Sequence, residues 1–193
     1  MKTILTNFEK ETVIKNSRFI CYLYPISNDS IDSVLKSIKE LHPKATHYCY
    51  AYIYDDVFRF SDDGEPGGTA GMPILNVLQK EEYNHVLAVV VRYFGGIKLG
   101  AGGLVRAYTK SVTEALKEVT IQEMVEGYKI SLHFPYEEEN NVLYLLSNSL
   151  ISSKEYLEEI TYTCYVSNEI YDKLAKYHPT ILEKCYIKKL NEC

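Results

Sequence analysis

Long apolar runs are missing from this chain of 193 residues. The longest uninterrupted apolar stretch, Val86 to Val91, is far shorter than the roughly 20 residues that a helix needs to cross a bilayer. The first residues, Met1 to Leu5, also lack the apolar core of a secretory signal. We therefore expect a cytoplasmic protein that makes no contact with a membrane.

Closely spaced cysteine pairs are missing as well. The chain has an odd number of cysteines and none falls in a CxxC pair, a pattern typical of reduced, mostly buried thiols: Cys21, Cys49, Cys164, Cys185 and Cys193. The five histidines are scattered in the same way, whereas a zinc site needs ligands at close spacing. We expect no metal site and no bound cofactor.

The named catalytic motifs are missing too. The sequence contains neither the GxxxxGKS/T nor the GxGxxG pattern of nucleotide-binding loops, and it has no GxSxG turn for a nucleophilic serine. We therefore assign no catalytic residue from sequence.

Glycine is rare except in two short segments. Nine of the ten glycines lie between Gly64 and Gly103. The first segment, residues 61–71, carries three carboxylates, and the second, residues 92–106, begins and ends with an arginine. Glycine is useful mainly where φ must be positive or where a backbone must come close to another group. The two segments therefore mark the candidate site.

Arginine is also scarce, and its distribution is uneven. The net charge of −5 argues against a protein that coats nucleic acid, but a local basic patch depends on clustering rather than on totals. All the arginines precede residue 107: Arg18, Arg59, Arg92 and Arg106. Because arginine suits bidentate contact with phosphate, a basic patch in the first half stays open alongside a chance distribution.

The second glycine segment is predicted to join a buried strand to a helix. Residues 86–91 are apolar on both faces, which predicts a central strand, and a long helix is predicted from Gly103. The N–H groups of such a loop and helix start can hold an anion, with Lys98 and Arg106 adding charge. The candidate anion or RNA contacts of the loop are Gly95, Gly96, Lys98, Gly102, Gly103 and Arg106. The alternative is that these glycines only allow a tight turn between the strand and the helix, with no ligand bound.

The first glycine segment has three interpretations. Asp62, Asp63 and Glu65 could bind Mg²⁺ or act as acid and base, or they could bond local backbone amides. They could also hold Arg92 of the neighbouring segment in place. His47, on a predicted strand, is a candidate base or phosphate partner, or a histidine hydrogen-bonded at a sheet edge.

The second half of the chain has a different pattern. Strand and helix signals from Tyr128 onward follow the order β-α-β-β-α-β, which is typical of the ferredoxin-like arrangement. We place the domain boundary so that residues 1–124 and 125–193 form separate α+β domains.

Several strings together resemble the YigZ/IMPACT family of cytoplasmic proteins. They run through Ser17-Arg18-Phe19-Ile20, Ala45–Ala51, Asp62–Gly71, Val91–Gly100 and Gly102–Tyr108. The resemblance implies a first domain like domain 2 of ribosomal protein S5. It implies a ferredoxin-like second domain resembling those of elongation factor G.

The family resemblance also implies a role in translation. Eukaryotic members regulate translation under amino-acid starvation, with partner binding that depends largely on an additional N-terminal domain not expected here. Asn16 stands where a lysine commonly precedes the Ser-Arg-Phe string, which weakens a basic patch at that point.

Two functions follow as hypotheses. The first is a non-catalytic protein that binds the ribosome, RNA or a translation-associated protein, with contacts from Arg18, His47, Arg92, Lys98 and Arg106. The second is an enzyme for a small phosphorylated or carboxylated ligand held at the glycine segments. The sequence leaves the oligomeric state undetermined.

Overall fold

A computed structural model describes residues 1–26 and 31–189 of the chain. It is a mixed α/β structure with antiparallel sheets, and it divides into two compact units, Met1–Gln122 and Glu123–Cys193. Within the described ranges, no helix is both long and apolar enough to span a bilayer.

The first unit is built on a five-stranded antiparallel sheet. The strands and helices of this unit are β1 Lys2–Ile4, β2 Phe8–Ile14, β3 Ser17–Pro25, α1 Ile31–Leu41, β4 His47–Tyr54, β5 Val57–Ser61, α2 Gly71–Lys80, β6 Val86–Tyr93 and α3 Ala101–Leu116. The strand β1 is not part of this sheet. The sheet order is β2-β3-β6-β4-β5, so the last strand in sequence occupies the centre. Every residue of β6 except Tyr93 is buried, which confirms the predicted central strand.

Helices cover both faces of this sheet. Ala88 and Val90 of β6 belong to a core that includes apolar residues of α2 and α3. Leu87, Val89 and Val91 point to the other face, where they join a second core with α1. Successive strand residues face opposite sides, so a strand covered on both sides must be apolar throughout.

The second core also explains the tyrosine-rich strand β4. Tyr48, Tyr50, Tyr52 and Tyr54 recur every second residue and lie partly buried against the α1 side of the sheet. The period-two pattern therefore marks a packing face rather than an open stacking surface.

The second unit has the predicted order β-α-β-β-α-β. Its elements are β7 Ile121–Phe134, a 3₁₀ turn at Tyr136–Glu138, α4 Glu139–Leu145, β8 Leu150–Tyr156, β9 Ile160–Ser167, α5 Asn168–Lys173 and β10 Thr180–Lys188. The strands pair antiparallel in the order β10-β7-β9-β8. Alternate residues of β7 and β9 form the core with Val142 of α4 and Leu174 after α5.

Several boundaries differ from the sequence prediction. The strands β1 and β2 are not predicted, because β1 has only three residues and no residue of β2 is buried, so neither shows an apolar face. The helix α3 begins at Ala101 rather than at Gly103. The strand β7 begins at Ile121, seven residues before Tyr128, from which the strand is predicted.

Candidate functional site

The first glycine segment is closed by the carboxylate of Asp62. Its Oδ1 accepts the N–H groups of Ala70 at 3.0 Å and Gly71 at 2.8 Å, and its Oδ2 accepts that of Gly68 at 2.8 Å. Burial by itself raises the pKa of Asp62, but these three donors outweigh it and leave the pKa below its ordinary value. Asp62 therefore fixes the loop against the start of α2, as the local-amide interpretation expects.

Asp63 and His47 join the same loop to strand β4. The Asp63 Oδ2 accepts the N–H of Tyr48 at 2.7 Å, and the Asp63 carbonyl accepts the Nδ1–H of His47 at 2.9 Å. A carbonyl can only accept, so the proton must lie on Nδ1. The ring is thereby held with Nε2 facing Glu65, 3.8 Å from its Oε2.

Glu65 and Arg92 form a buried ion pair between the two glycine segments. The Arg92 Nη1 donates to Glu65 Oε1 at 2.6 Å, and the Tyr108 hydroxyl donates to the same oxygen at 2.8 Å. Glu65 is 8% exposed and Arg92 is 5% exposed. The guanidinium carbon of Arg92 lies 5.5 Å and 5.6 Å from the ring centres of Phe19 and Phe94. A pair removed from water to this degree needs several donors and a fixed geometry to be favourable.

Cys49 completes what we call the Glu65 cluster, which consists of His47, Cys49, Glu65, Arg92 and Tyr108. The Cys49 thiol donates to the Asp62 carbonyl at 3.0 Å and lies 3.3 Å from the Tyr108 hydroxyl oxygen. Burial raises the pKa of Cys49 to about 12, and burial is also the main cause of a raised pKa of Tyr108. Neither side chain therefore supplies a thiolate or phenolate at neutral pH.

The second glycine segment packs against the β2–β3 hairpin. Lys15 and Asn16 form the hairpin tip with positive φ angles of 46° and 65°. The Gly95 N–H donates to Ser17 Oγ at 3.1 Å, and a Cβ on Gly95 would lie 2.1 Å from the Asn16 carbonyl carbon. Only glycine allows this approach. Gly96 and Gly100 have φ angles of 83° and 69°, which lets the loop turn into α3.

A basic cavity of about 210 Å³ lies between the hairpin tip and the first turns of α3. We call it the α3 cation pocket; it is lined by Ile14, Lys15, Leu99, Gly103, Arg106, Ala107 and Lys110. Its three cationic residues are all exposed, and no acidic residue lines it.

The amino terminus of α3 reinforces this positive character. No side chain caps it at Gly100, and its first turn holds no acidic residue. A Cβ on Gly102 would lie 3.6 Å from Arg106 Nη1, so the guanidinium folds back over that first turn. The helix dipole and the guanidinium therefore add at one place.

The structure brings some predicted site residues together and separates others. His47, Asp62, Asp63, Glu65 and Arg92 meet at the Glu65 cluster or beside it. Gly103 and Arg106 belong to the α3 cation pocket, and Lys98 is exposed in the loop before α3.

Arg18 has a different setting on the exposed side of β3. Its Nε and Nη2 donate to the two carboxylate oxygens of Glu11 at 2.9 Å and 2.7 Å. Its guanidinium carbon also lies 5.1 Å from the ring centre of Tyr93. A carboxylate already occupies the bidentate donor face of this arginine.

Four polar or charged residues of these sites are not predicted from sequence: Lys15, Cys49, Tyr108 and Lys110. Tyr108 is buried in α3, and no local pattern indicates that its hydroxyl reaches Glu65, which is 43 residues away in the chain. Lys110 is marked in the sequence only as a lysine of the predicted helix, and Lys15 has no signal except its position beside Asn16. In the described residues no group of three or more His, Cys, Asp or Glu side chains is placed to hold a metal ion.

Comparisons with known proteins agree on one family. Residues 15–116 match the model of the Impact N-terminal domain. The chain is 43% identical over 167 residues to IMPACT family member YvyE of Bacillus subtilis, covering 84% of this chain and 75% of that protein. It is 40% identical over 139 residues to IMPACT family member YigZ of Escherichia coli, covering 69% and 68%.

A solved structure is similar over nearly the whole length. It is described as the crystal structure of a hypothetical protein, and it matches with a TM-score of 0.71 and 32% identity over 94% of this chain and 97% of that one. The fold and the matched region define a mixed α/β protein that carries an Impact N-terminal domain. The chain belongs to the IMPACT family.

Proposed function

We propose that this protein binds RNA phosphates through the α3 cation pocket and acts on the translation machinery as a binding protein without turnover. The observation that carries the proposal is the convergence of Lys15, Arg106 and Lys110 on one cavity that no carboxylate lines. Phosphate contacts of this kind supply most of the affinity of a protein for nucleic acid.

The absence of carboxylate partners for the cations of the pocket supports the proposal. Among the residues that the structure describes, neither Lys15 nor Arg106 has a carboxylate within ion-pair distance, although nine lysine or arginine ion pairs are formed elsewhere in those ranges. An exposed cation without an internal partner is available to an external anion. Lys98 is exposed in the loop that leads into α3, and in this proposal it would extend the contact along an RNA strand.

Arg92 has a supporting role in this proposal rather than a contact with RNA. Its guanidinium is buried and bonded to Glu65, so it would have to leave that pair to reach a ligand. By holding Glu65, Arg92 connects the end of β6 to the first glycine segment. The second glycine segment, which follows β6, then starts from a fixed position.

We extend the proposal to the class of each domain and to the location. The first unit would be an S5 domain 2-like domain and the second a ferredoxin-like domain, supported in the second unit by the strand order β10-β7-β9-β8. Domains of these two classes occur in ribosomal protein S5 and in elongation factor G, so this assignment would fit a cytoplasmic protein that binds the ribosome.

Salt-dependent RNA binding tests the proposal. The affinity for a labelled single-stranded RNA is measured at several salt concentrations for the unaltered protein and for the double variant K15Q/R106Q. Loss of two phosphate contacts should reduce the magnitude of the slope of log affinity against log salt concentration by about 1.4, since each contact contributes about 0.7 to that slope. The control K44Q/K80Q removes the same charge from exposed lysines outside the pocket and should leave the slope unchanged.

Ribosome co-sedimentation with the same variants connects the pocket to translation. Equal sedimentation of K15Q/R106Q and K44Q/K80Q at moderate salt would refute the proposed site.

A small phosphorylated ligand is the remaining alternative, because the cavity is concave and of limited volume. A thermal-shift series with nucleotides and phosphorylated metabolites tests it, since a ligand at 100 times its Kd stabilises the protein by about 2.7 kcal/mol.

A further inference from the structure

The two edges of the sheet in the first unit are protected very differently. The edge strand β2 carries charges at Glu9, Lys10 and Glu11 and packs against α3. The other edge strand, β5, exposes 53% of Val57, 53% of Phe58 and 39% of Phe60. Proteins normally guard an edge with charge, proline, a bulge or a cover, because its unpaired backbone groups accept another strand.

Of these devices, β5 carries a single charge, Arg59. Its five residues contain no proline, and its register with β4 runs without a bulge from Tyr54↔Val57 to Tyr50↔Ser61. In the described part of the chain, β5 is paired with β4 alone. The opposite side of β5 therefore offers a row of free N–H and C=O groups.

The side chains of β5 define what could pair with it. Phe58 and Phe60 lie opposite Ile53 and Ala51, two residues of the buried core, so they extend the core face beyond the edge of the sheet. Arg59 lies between them on the other face and is exposed. Within residues 1–26 and 31–189 no carboxylate is within ion-pair distance of Arg59.

We propose that β5 is a docking edge for an extended peptide segment that adds a strand to the sheet, with an acidic residue opposite Arg59 and apolar residues on either side of it. Backbone hydrogen bonds would supply affinity and the alternate side chains would supply specificity, as in other cases of strand addition. The partner is thus a protein segment of the pattern apolar-acidic-apolar. This surface is distinct from the α3 cation pocket and does not depend on RNA binding.

A second copy of this chain fits the same edge poorly. Antiparallel pairing of β5 with its own copy about a two-fold axis normal to the sheet, using all five residues, places Arg59 directly opposite Arg59. Like charges in directly opposite positions destabilise a strand pair. The charge at the centre of β5 therefore favours an acidic partner over self-association.

Reversal of the central charge, first in a peptide and then at Arg59 of the protein, tests the proposal. The probes are two fluorescein-labelled peptides, Ser-Thr-Lys-Val-Glu-Val-Lys-Thr-Ser and its counterpart with lysine at the central position, and binding is followed by fluorescence anisotropy. The unaltered protein should bind the glutamate peptide about tenfold more tightly, because a favourable cross-strand pair replaces a repulsive one. The variant R59E should reverse the preference, whereas the control K44E should leave it unchanged.

A second variant separates apolar docking from simple charge attraction. In F58S/F60T the exposed aromatic rings are lost while Arg59 is kept, so both peptides should bind more weakly; circular dichroism confirms that each variant is folded. The proposal is overturned if neither peptide binds up to millimolar concentration, if R59E keeps the original preference, or if F58S/F60T binds as well as the unaltered protein. Self-association that the neutral variant R59Q strengthens, measured by analytical ultracentrifugation, would instead identify β5 as a contact between copies.

Discussion

The Nη1 atom of Arg92 lies 2.6 Å from the Oε1 atom of Glu65, and both side chains are buried in the first unit. Removing one member of such a pair leaves the other as a buried charge without its counter-ion. We expect R92M and E65Q each to lower the free energy of unfolding by about 3–5 kcal/mol. The double variant E65Q/R92M should lose much less than the sum, which a double-mutant cycle by urea denaturation measures. Additive losses would mean that the pair contributes little coupling.

Tyr108 supplies the second donor to Glu65. The variant Y108F keeps the ring, including its edge-to-face contact with Phe19 at 5.3 Å between ring centres, but removes the hydroxyl. Loss of a hydrogen bond to a buried carboxylate should cost about 1–3 kcal/mol in urea denaturation. The control Y52F alters a half-buried tyrosine of β4, and it should change stability by less than about 0.5 kcal/mol.

Asp62 makes the first glycine segment sensitive to acid. Its pKa is lowered in the folded protein, so its stabilising contribution is complete above the unfolded value of about 3.9 and disappears as the pH falls through the folded value. The variant D62N should therefore be less stable than the unaltered protein at pH 7, and the difference should narrow as the pH falls below about 4. Urea denaturation midpoints measured at pH 7 and at a pH below about 4 check this, with D56N in the exposed β4–β5 turn as the control. A difference independent of pH would contradict the assignment.

Gly95 is the glycine with the closest contact in the structure. A methyl group there would meet the Asn16 backbone at 2.1 Å, and neither segment can shift without disturbing the hairpin tip. We expect G95A to destabilise the protein by about 1–3 kcal/mol or more. G67A is the matched control, because nothing lies within 4 Å of its added methyl group. Equal thermal midpoints for the two variants would show that the hairpin and the loop separate easily.

The sequence predicts well those features that depend on local periodicity. The apolar run from Val86 to Val91 is buried on both faces, and the β-α-β-β-α-β order of the second unit follows from strand and helix signals alone. The tyrosines of β4 lie on one packing face because their spacing of two permits nothing else. These features need no knowledge of distant contacts.

The candidate sites depend on contacts that periodicity cannot supply. Glu65 and Tyr108 are 43 residues apart, and their hydrogen bond follows only from where α3 crosses the sheet. Lys15 reaches the α3 cation pocket because a hairpin that was not predicted turns at that residue. The sequence did suggest that a carboxylate of the first segment holds Arg92, but it could not select Glu65 over Asp62 or Asp63. The choice depends on which side chain faces inward.

The central position of β6 determines how the sheet of the first unit is joined together. The hairpins β2–β3 and β4–β5 share no ladder with each other, since β6 lies between them and pairs with both. The five-stranded layer therefore closes only when β6 lies between the two hairpins. The last strand of this sheet in sequence is the one that joins its two halves.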